Sequence, residues 1–256
     1  MLSVACCVSA CCLLHTQCNR SCMLHATSAI RLQLREAAER EVNLMRHCCH
    51  PHIVRFLGVH WHDDSAEIVM EYASGGSIAE LLKVFGPFVE TLCRLYMRQL
   101  LDAVSYLHSQ SIVHRDLKGS NILVDNAGLI KLADLGCACW LGECSGAVGT
   151  TVFMAPEVAR GGAYDCKADV WSIGCVLFEM LSARPPWHNR FSNDHTAIYH
   201  IARAKQLPLA DLDPLRVSER CVDLIRRCCT QQPHARPDVK SLGMHEFIRS
   251  EIVEHR

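Results

Sequence analysis

"HRDLKGSNIL" (residues 114–123) is the stretch on which the reading of this chain turns. It sets Asp116, Lys118 and Asn121 close together, just ahead of an apolar run. A second run, "LIKLA", leads into "DLG" at 134–136 and places Asp134 directly after a strand-like segment. Carboxylate and amide oxygens suit magnesium, which keeps several waters and binds substrate phosphates. One further carboxylate is then left to accept a proton. Lys118 can neutralise a migrating phosphoryl group as a point charge. Positioning and charge stabilisation are what phosphoryl transfer asks of a protein.

A lone HRD triplet is an ordinary surface loop. Here the order is H-R-D-L-x-x-x-N, then D-x-G, then "APE" at 155–157. That ordered set resembles the signature of the eukaryotic protein kinases, and the resemblance covers about residues 28–249. "HPHIVRFLGV", "MEYASGGSIAELL", "HRDLKGSNILVD", "GTTVFMAPEV" and "RPPW" narrow it to a likeness to the MAP kinase kinase kinase group. The resemblance implies a serine/threonine kinase that uses ATP and magnesium. Its protein substrate would be a MAP kinase kinase.

Carried over position by position, the resemblance makes Asp116 the base that orients a substrate hydroxyl. Asn121 and Asp134 become the metal ligands, and Lys118 the contact to the γ-phosphate. Glu41 matches the glutamate of the family's helix C. Met70 matches the gatekeeper, Glu71, Tyr72 and Ala73 the hinge that receives adenine, and Leu123 the floor of its pocket. The activation segment runs from Asp134 to Glu157, with Ser145, Thr150 and Thr151 as its hydroxyl-bearing residues. Thr150 is expected to reach toward Asp116 and Lys118, and Arg115 to pair with a phosphate placed on the segment. Glu157, Asp169 and Arg236 would be structural, Glu157 pairing with Arg236 and Asp169 bracing the loop at 114–121.

The implied fold is α+β: a reduced N-lobe of helix C plus a β-hairpin, on a complete, mainly helical C-lobe. Local pattern agrees. "SAIRLQLREAAEREVNLMRHCC" has good helix formers, with Leu34, Ala37, Ala38, Val42 and Met45 at helical spacing. Pro51 ends it. "IVRFLGVHWH" and "AEIVMEYA" flank "DDS" as a hairpin, and Ser77 is a candidate helix cap. "VETLCRLYMRQLLDAVSYLHSQ" reads as a long amphipathic helix, two short strands surround "DNAG", and helices follow residue 165. The expected divisions are a Cys-rich segment at 1–25, poorly ordered or a short helix; a partial N-lobe and hinge at 26–73; a C-lobe at 74–249; and a tail at 250–256.

The 256 residues carry a formal net charge of -1, which argues against a nucleic-acid or membrane-surface binder. No run of about 18 apolar residues marks a membrane span. The 17 cysteines are odd in number and many fall in core-like segments, so free thiols in a reducing, cytoplasmic setting are expected. Six of them lie in the first 22 residues. Cys7, Cys11, Cys18, Cys22, His15 and His25 are metal-ligand types, but their spacing lacks the tight knuckle of zinc sites. A targeting signal fits poorly as well, because the positive start is missing.

Two departures from the kinase pattern stand out. "DLG" replaces D-F-G, and Leu135 is expected to keep the apolar plug with Met45, Phe56 and His114. More seriously, the first glycine is Gly58 and the first lysine is Lys83, both after Glu41. The family's glycine-rich loop and V-A-I-K strand lysine have no counterpart. Arg31 and Arg35 do not replace a lysine point charge simply. The chain is therefore expected either to be a truncated kinase or to be a pseudokinase acting as a scaffold. The strands at 53–60 and 66–73 are expected to expose an edge.

Overall fold

Helix α1 spans Ser28–His47 and buries Ala38, Val42 and Met45, one face of a helical repeat. The computed structural model describes residues 4–7, 28–62 and 65–250. Arg46 and His47 in the last turn complement the negative end of the helix, and the chain turns at Pro51. Beyond it, β2 (Phe56–Trp61) and β3 (Ala66–Met70) pair antiparallel, with Trp61 opposite Ala66 and Phe56 opposite Met70. In β3 Ala66 and Ile68 are buried while Glu67 between them is exposed, the alternation of a half-buried strand.

The sheet has a third strand. β1 (Val4–Cys7) pairs antiparallel with the other edge of β3, Val4 opposite Met70 and Cys7 opposite Glu67, giving the order β1-β3-β2. This corrects two expectations: Val4–Cys7 is strand rather than helix, and that edge of β3 is covered. An open strand edge presents unpaired N–H and C=O groups, and an extended apolar segment satisfies them. Cys11, His15, Cys18, Cys22 and His25 lie outside the described residues.

After Met70 the chain crosses to the second part of the molecule, where Gly75 N–H donates to Val124 O at 2.8 Å. Helix α2 (Ile78–Phe85) starts on a full capping box between Ser77 and Glu80. Helix α3 (Glu90–Ser109) buries Met97, Leu100, Val104 and Leu107. Short strand β4 (Ile112–Val113) follows, then the hairpin of β5 (Ile122–Val124) and β6 (Ile130–Leu132). β7 (Cys139–Trp140) returns to β4, with Val113 opposite Cys139. Short helix α4 (Pro156–Ala159) leads to α5 (Lys167–Ser182), in which every residue from Ala168 to Leu181 is buried. A helix buried on every side belongs at the centre of a bundle. Helices α6 (Asp194–Ile201), α7 (Glu219–Cys228), α8 (Val239–Gly243) and α9 (Glu246–Arg249) complete this part. The fold is kinase-like, mainly helical, with a small N-terminal sheet. Among the described residues no helix is long and apolar enough to cross a membrane.

Cys93, Cys175, Cys221, Cys228 and Cys229 are buried as small apolar side chains. One pair departs from the expectation of free thiols: Cys139 and Cys144 are disulfide-bonded, because the turn after β7 brings their Cα atoms to 6.2 Å.

Glu157 and Arg236 form a bidentate pair at 2.6 and 2.8 Å. The guanidinium is fully buried; it also donates to the carbonyls of Thr230, Lys167 and Gln231 and lies over the Trp171 ring. Removing the carboxylate leaves a buried cation with carbonyls alone. Glu157→Ala is therefore expected to lower unfolding free energy by about 3 kcal/mol in urea melts, because breaking a buried pair strands a charge.

Candidate active site

Asp116, Lys118 and Asn121 lie on the loop between β4 and β5. Asp169, at the start of α5 and fully buried, holds that loop from below. Its carboxylate accepts from His114 N–H and Arg115 N–H, both at 2.9 Å, and Nε2 of His108 lies 2.8 Å away. Burial works against ionisation of Asp169, but the hydrogen bond and charge of His108 outweigh it and hold the carboxyl below the usual aspartate range. Arg115 adopts a left-handed backbone, φ 68°, and its two anchored neighbours keep it there. His114 Nδ1 accepts from Asp116 N–H at 3.3 Å, so Nε2 carries the proton and donates to Ala133 O. The imidazole thus ties Asp116 to the residue before Asp134.

Asp116 is buried, and each of its oxygens has partners. Oδ1 accepts from Thr150 N–H at 2.8 Å and Thr150 Oγ1 at 2.7 Å. Oδ2 lies 2.7 Å from Lys118 Nζ and accepts from Asn121 Nδ2 at 3.1 Å. Lys118 Nζ also donates to Thr150 Oγ1 at 2.7 Å, closing a triangle of carboxylate, ammonium and hydroxyl. Burial raises the Asp116 carboxyl, but Lys118 and then Thr150 outweigh it, so the group is held below the usual range and stays ionised at neutral pH. Gly149, at φ 107°, makes the approach of Thr150 feasible: a Cβ there would collide with Arg115 O.

Asn121 Nδ2 donates to both the carbonyl and the carboxylate of Asp116, which leaves the Asn121 Oδ1 as the side chain's acceptor. Ala133 N–H donates to Asn121 O at 2.8 Å, so Asp134 follows directly across the hairpin end from Asn121. Asp134 is exposed, has φ 63°, and accepts from Gly136 N–H at 3.1 Å. Among the described residues no three His, Cys, Asp or Glu side chains could hold a metal together. Two hard oxygens fit magnesium nonetheless, since that ion completes its shell with water and phosphate oxygens.

Toward the N-terminal sheet, Met70, Glu71 and Ala73 are half-buried along the crossing segment. Glu71 Oε1 accepts from Arg55 N–H and from Lys131 Nζ, both at 2.9 Å. Leu123 is half-buried and bridges to Ser77 across the same segment. Glu41 is half-buried on α1, and Met45 and Leu135 are buried in one core with Phe56 packed against it. Thr151 is buried, and Ser145 is exposed on the outer part of the 134–157 segment.

Glu179 was missed in the sequence. It sits in α5 and accepts from Gly119 N–H at 2.8 Å, supporting the middle of the Asp116–Asn121 loop. Its signal was a single acid inside the apolar run "VLFEML". Burial pushes its carboxyl up to about 7, despite the Gly119 N–H and the nearby Lys118. A Cβ on residue 119 would lie 2.6 Å from its Oε2, so glycine permits this contact.

The protein kinase domain family matches residues 6–248. The chain is similar to Mitogen-activated protein kinase kinase kinase 2 of Arabidopsis thaliana, 41% identical over 222 residues, 84% of this chain and 34% of the relative. It is similar to Mitogen-activated protein kinase kinase kinase A of Dictyostelium discoideum, 39% identical over 82% of this chain and 22% of the relative. Mitogen-activated protein kinase kinase kinase 1 of Homo sapiens is 39% identical over 88% of this chain and 15% of its own length. The chain thus spans between 15% and 34% of these relatives' own lengths.

The Glu179 contact has a pH signature. An unfolded glutamate loses its proton near about 4.3, while the folded one keeps it to about 7. Across that window the unfolded chain binds fewer protons, so stability falls as pH rises, and levels off above it. Urea melts from pH 5 to 7.5 are expected to show the wild type losing up to about 3 kcal/mol relative to Glu179→Gln. A constant difference across the series would contradict the assignment.

Proposed function

The chain belongs to the protein kinase family, and on that premise we propose that it transfers the γ-phosphoryl group of ATP to serine or threonine of a protein substrate. The observation that carries this reading is the Asp116–Lys118–Thr150 triangle, in which a hydroxyl already donates to the carboxylate and accepts from the ammonium. A substrate serine or threonine hydroxyl in the same relation would pass its proton to Asp116 as its oxygen attacks. Lys118 would balance the charge that builds on the equatorial oxygens. Asn121 Oδ1 and the Asp134 carboxylate would hold magnesium, and the bound Mg·ATP would supply the phosphoryl group. Met70, Glu71, Ala73 and Leu123 would border the adenine. The names of the relatives support a MAP kinase kinase as the substrate class. Arg115 beside the 134–157 segment would receive a phosphate placed on exposed Ser145, since the Thr150 hydroxyl is engaged by Asp116 and Lys118 and Thr151 is buried.

A second reading, a scaffold that binds but does not transfer, is favoured by one observation. β1 precedes α1 and reads Val4-Ala5-Cys6-Cys7, where the kinase pattern has V-A-I-K. The strand is in the sheet, but its fourth residue is cysteine, and the first lysine of the chain is Lys83. A thiol offers no fixed cation for the phosphates.

For these 256 residues, calorimetric titration with ATP is expected to show weak binding that requires magnesium. Asp134→Asn would lower the magnesium-dependent affinity at least about tenfold, as loss of a ligand does. Phosphotransfer to a MAP kinase kinase is expected to be very low, yet above that of Asp116→Asn. Binding indifferent to magnesium and to Asp134→Asn would decide for the scaffold reading. Robust transfer abolished by Asp116→Asn would overturn the expectation of low activity.

A further inference from the structure

The Cys139–Cys144 pair lies at the root of the 134–157 segment, and no step of the proposed transfer uses it. β7 holds Cys139 against β4, opposite Val113, immediately upstream of His114. Leu141 N–H donates to Ser111 O at 2.7 Å and Glu143 N–H to Trp140 O at 3.0 Å, folding 140–143 into a tight turn. Cys144 faces the other way: its carbonyl accepts from Tyr164 N–H, and Ser145 bridges to Ala163. The two sulfurs, with Val113, Tyr164 and Cys166, form a small apolar cluster separate from the main core. A bond between them therefore joins the β4 side of the segment to the 163–164 side.

We propose that Cys139 and Cys144 are a reversible thiol-oxidation site, whose reactant is a low-molecular-weight disulfide of the glutathione type. One protein thiolate attacks a sulfur of the small disulfide, forming a mixed disulfide and releasing one thiolate. The second protein thiolate then attacks the protein-side sulfur, closes the bridge and releases the other. Two electrons pass from the protein sulfurs to the small disulfide. The two protons lost by the protein thiols balance the two thiolates released, which leave as free thiols.

Three observations single out this pair. The 6.2 Å Cα separation lies within the range a disulfide spans without moving the backbone. The sulfurs are buried, but Leu141, Gly142, Glu143 and Ser145 around them are exposed, so local opening of the turn admits the reactant. Most other described cysteines are poor competitors. Cys48, Cys93, Cys175, Cys221, Cys228 and Cys229 are buried in the main core, and burial pushes the Cys48 thiol to about 11 and the Cys93 thiol to about 12. Exposed Cys49 and half-buried Cys137 and Cys166 are the alternatives the test must separate.

The bridge, once formed, pins Trp140–Ser145 in the arrangement seen here, and the segment's outer part hangs from that fixed root. This consequence rests on the fold rather than on phosphotransfer, and its readouts are independent of activity. The full chain is incubated over a range of glutathione to glutathione-disulfide ratios, quenched in acid, alkylated and digested with trypsin. Peptide 132–160 holds Cys137, Cys139 and Cys144 and no internal lysine or arginine. Under oxidising ratios it is expected to carry one alkyl group, on Cys137, at a mass 2 Da below the singly alkylated dithiol, and to carry three alkyl groups after dithiothreitol. The wild-type melting temperature is expected to rise by about 5 °C on oxidation, as closing a short loop of the unfolded chain implies. In Cys144→Ser it is expected not to move. A bridge from Cys137, a cross-link of this peptide to the one carrying Cys166 or Cys49, an adduct of glutathione persisting on one cysteine, or three alkylated cysteines at every ratio would overturn the proposal. The mapping on the wild type decides even if the variant fails to fold.

Discussion

The buried carboxylate of Asp169 is the contact on which the rest of the site depends. Three groups converge on it, two of them backbone N–H groups from consecutive residues of one loop. A loop with a left-handed arginine at its centre has no regular ladder to hold its amides. An ionised acceptor in a dry interior holds them more firmly than a neutral one, because charge-assisted hydrogen bonds are roughly twice as strong. α5 suits the task, being rigid and enclosed on all sides. It offers two acids to the same loop, Asp169 beneath His114 and Arg115, and Glu179 beneath Gly119. The first is held ionised by His108, and the second, lacking a close cation of equal effect, is pushed toward neutrality. One buried helix thus fixes both ends of the run that carries Asp116 and Lys118.

Above that anchor the polar groups balance locally. Asp116 is deprived of water, but an ammonium, an amide, a hydroxyl and a backbone N–H take its place. The arrangement keeps the base ionised and aims its oxygens, so no reorganisation is needed before a proton moves. It also explains why Thr150 needs Gly149 before it: only a residue without Cβ lets the segment come that close to the loop.

Much of this was legible in the sequence. Asp116, Lys118 and Asn121 are near neighbours in the chain, so spacing alone groups them. The helices at 28–47 and 90–109 follow from apolar periodicity, and the Ser77 cap from local chemistry. What remained hidden depends on contacts between distant residues. Glu179 lies 60 positions from its partner Gly119; its place inside the apolar run "VLFEML" marks it as buried, but nothing local names the N–H it accepts from. β1 is four residues long, too short for period-two alternation to declare it, and its pairing is decided by the edge of β3. The Cys139–Cys144 bond depends on a turn geometry that a count of cysteines cannot contain.

Strand β7 shows how the two halves of the site are joined. Arg115 Nε donates to Cys137 O, while its own backbone N–H belongs to Asp169. One residue therefore links the buried helix to the start of the exposed segment. Two positions later β7 pairs with β4, and at the far end Thr150 closes on Asp116. The stretch from 141 to 149 is held at both ends and, midway, at Cys144 and Ser145, and much of its surface is solvent-exposed. Its freest part lies between Ser145 and Gly149, where a change in the segment can be made without disturbing the anchor below. A fixed base and an adjustable cover arise from the same physical division: charges in the interior are paired to backbone, and the cover is tied at a few points only.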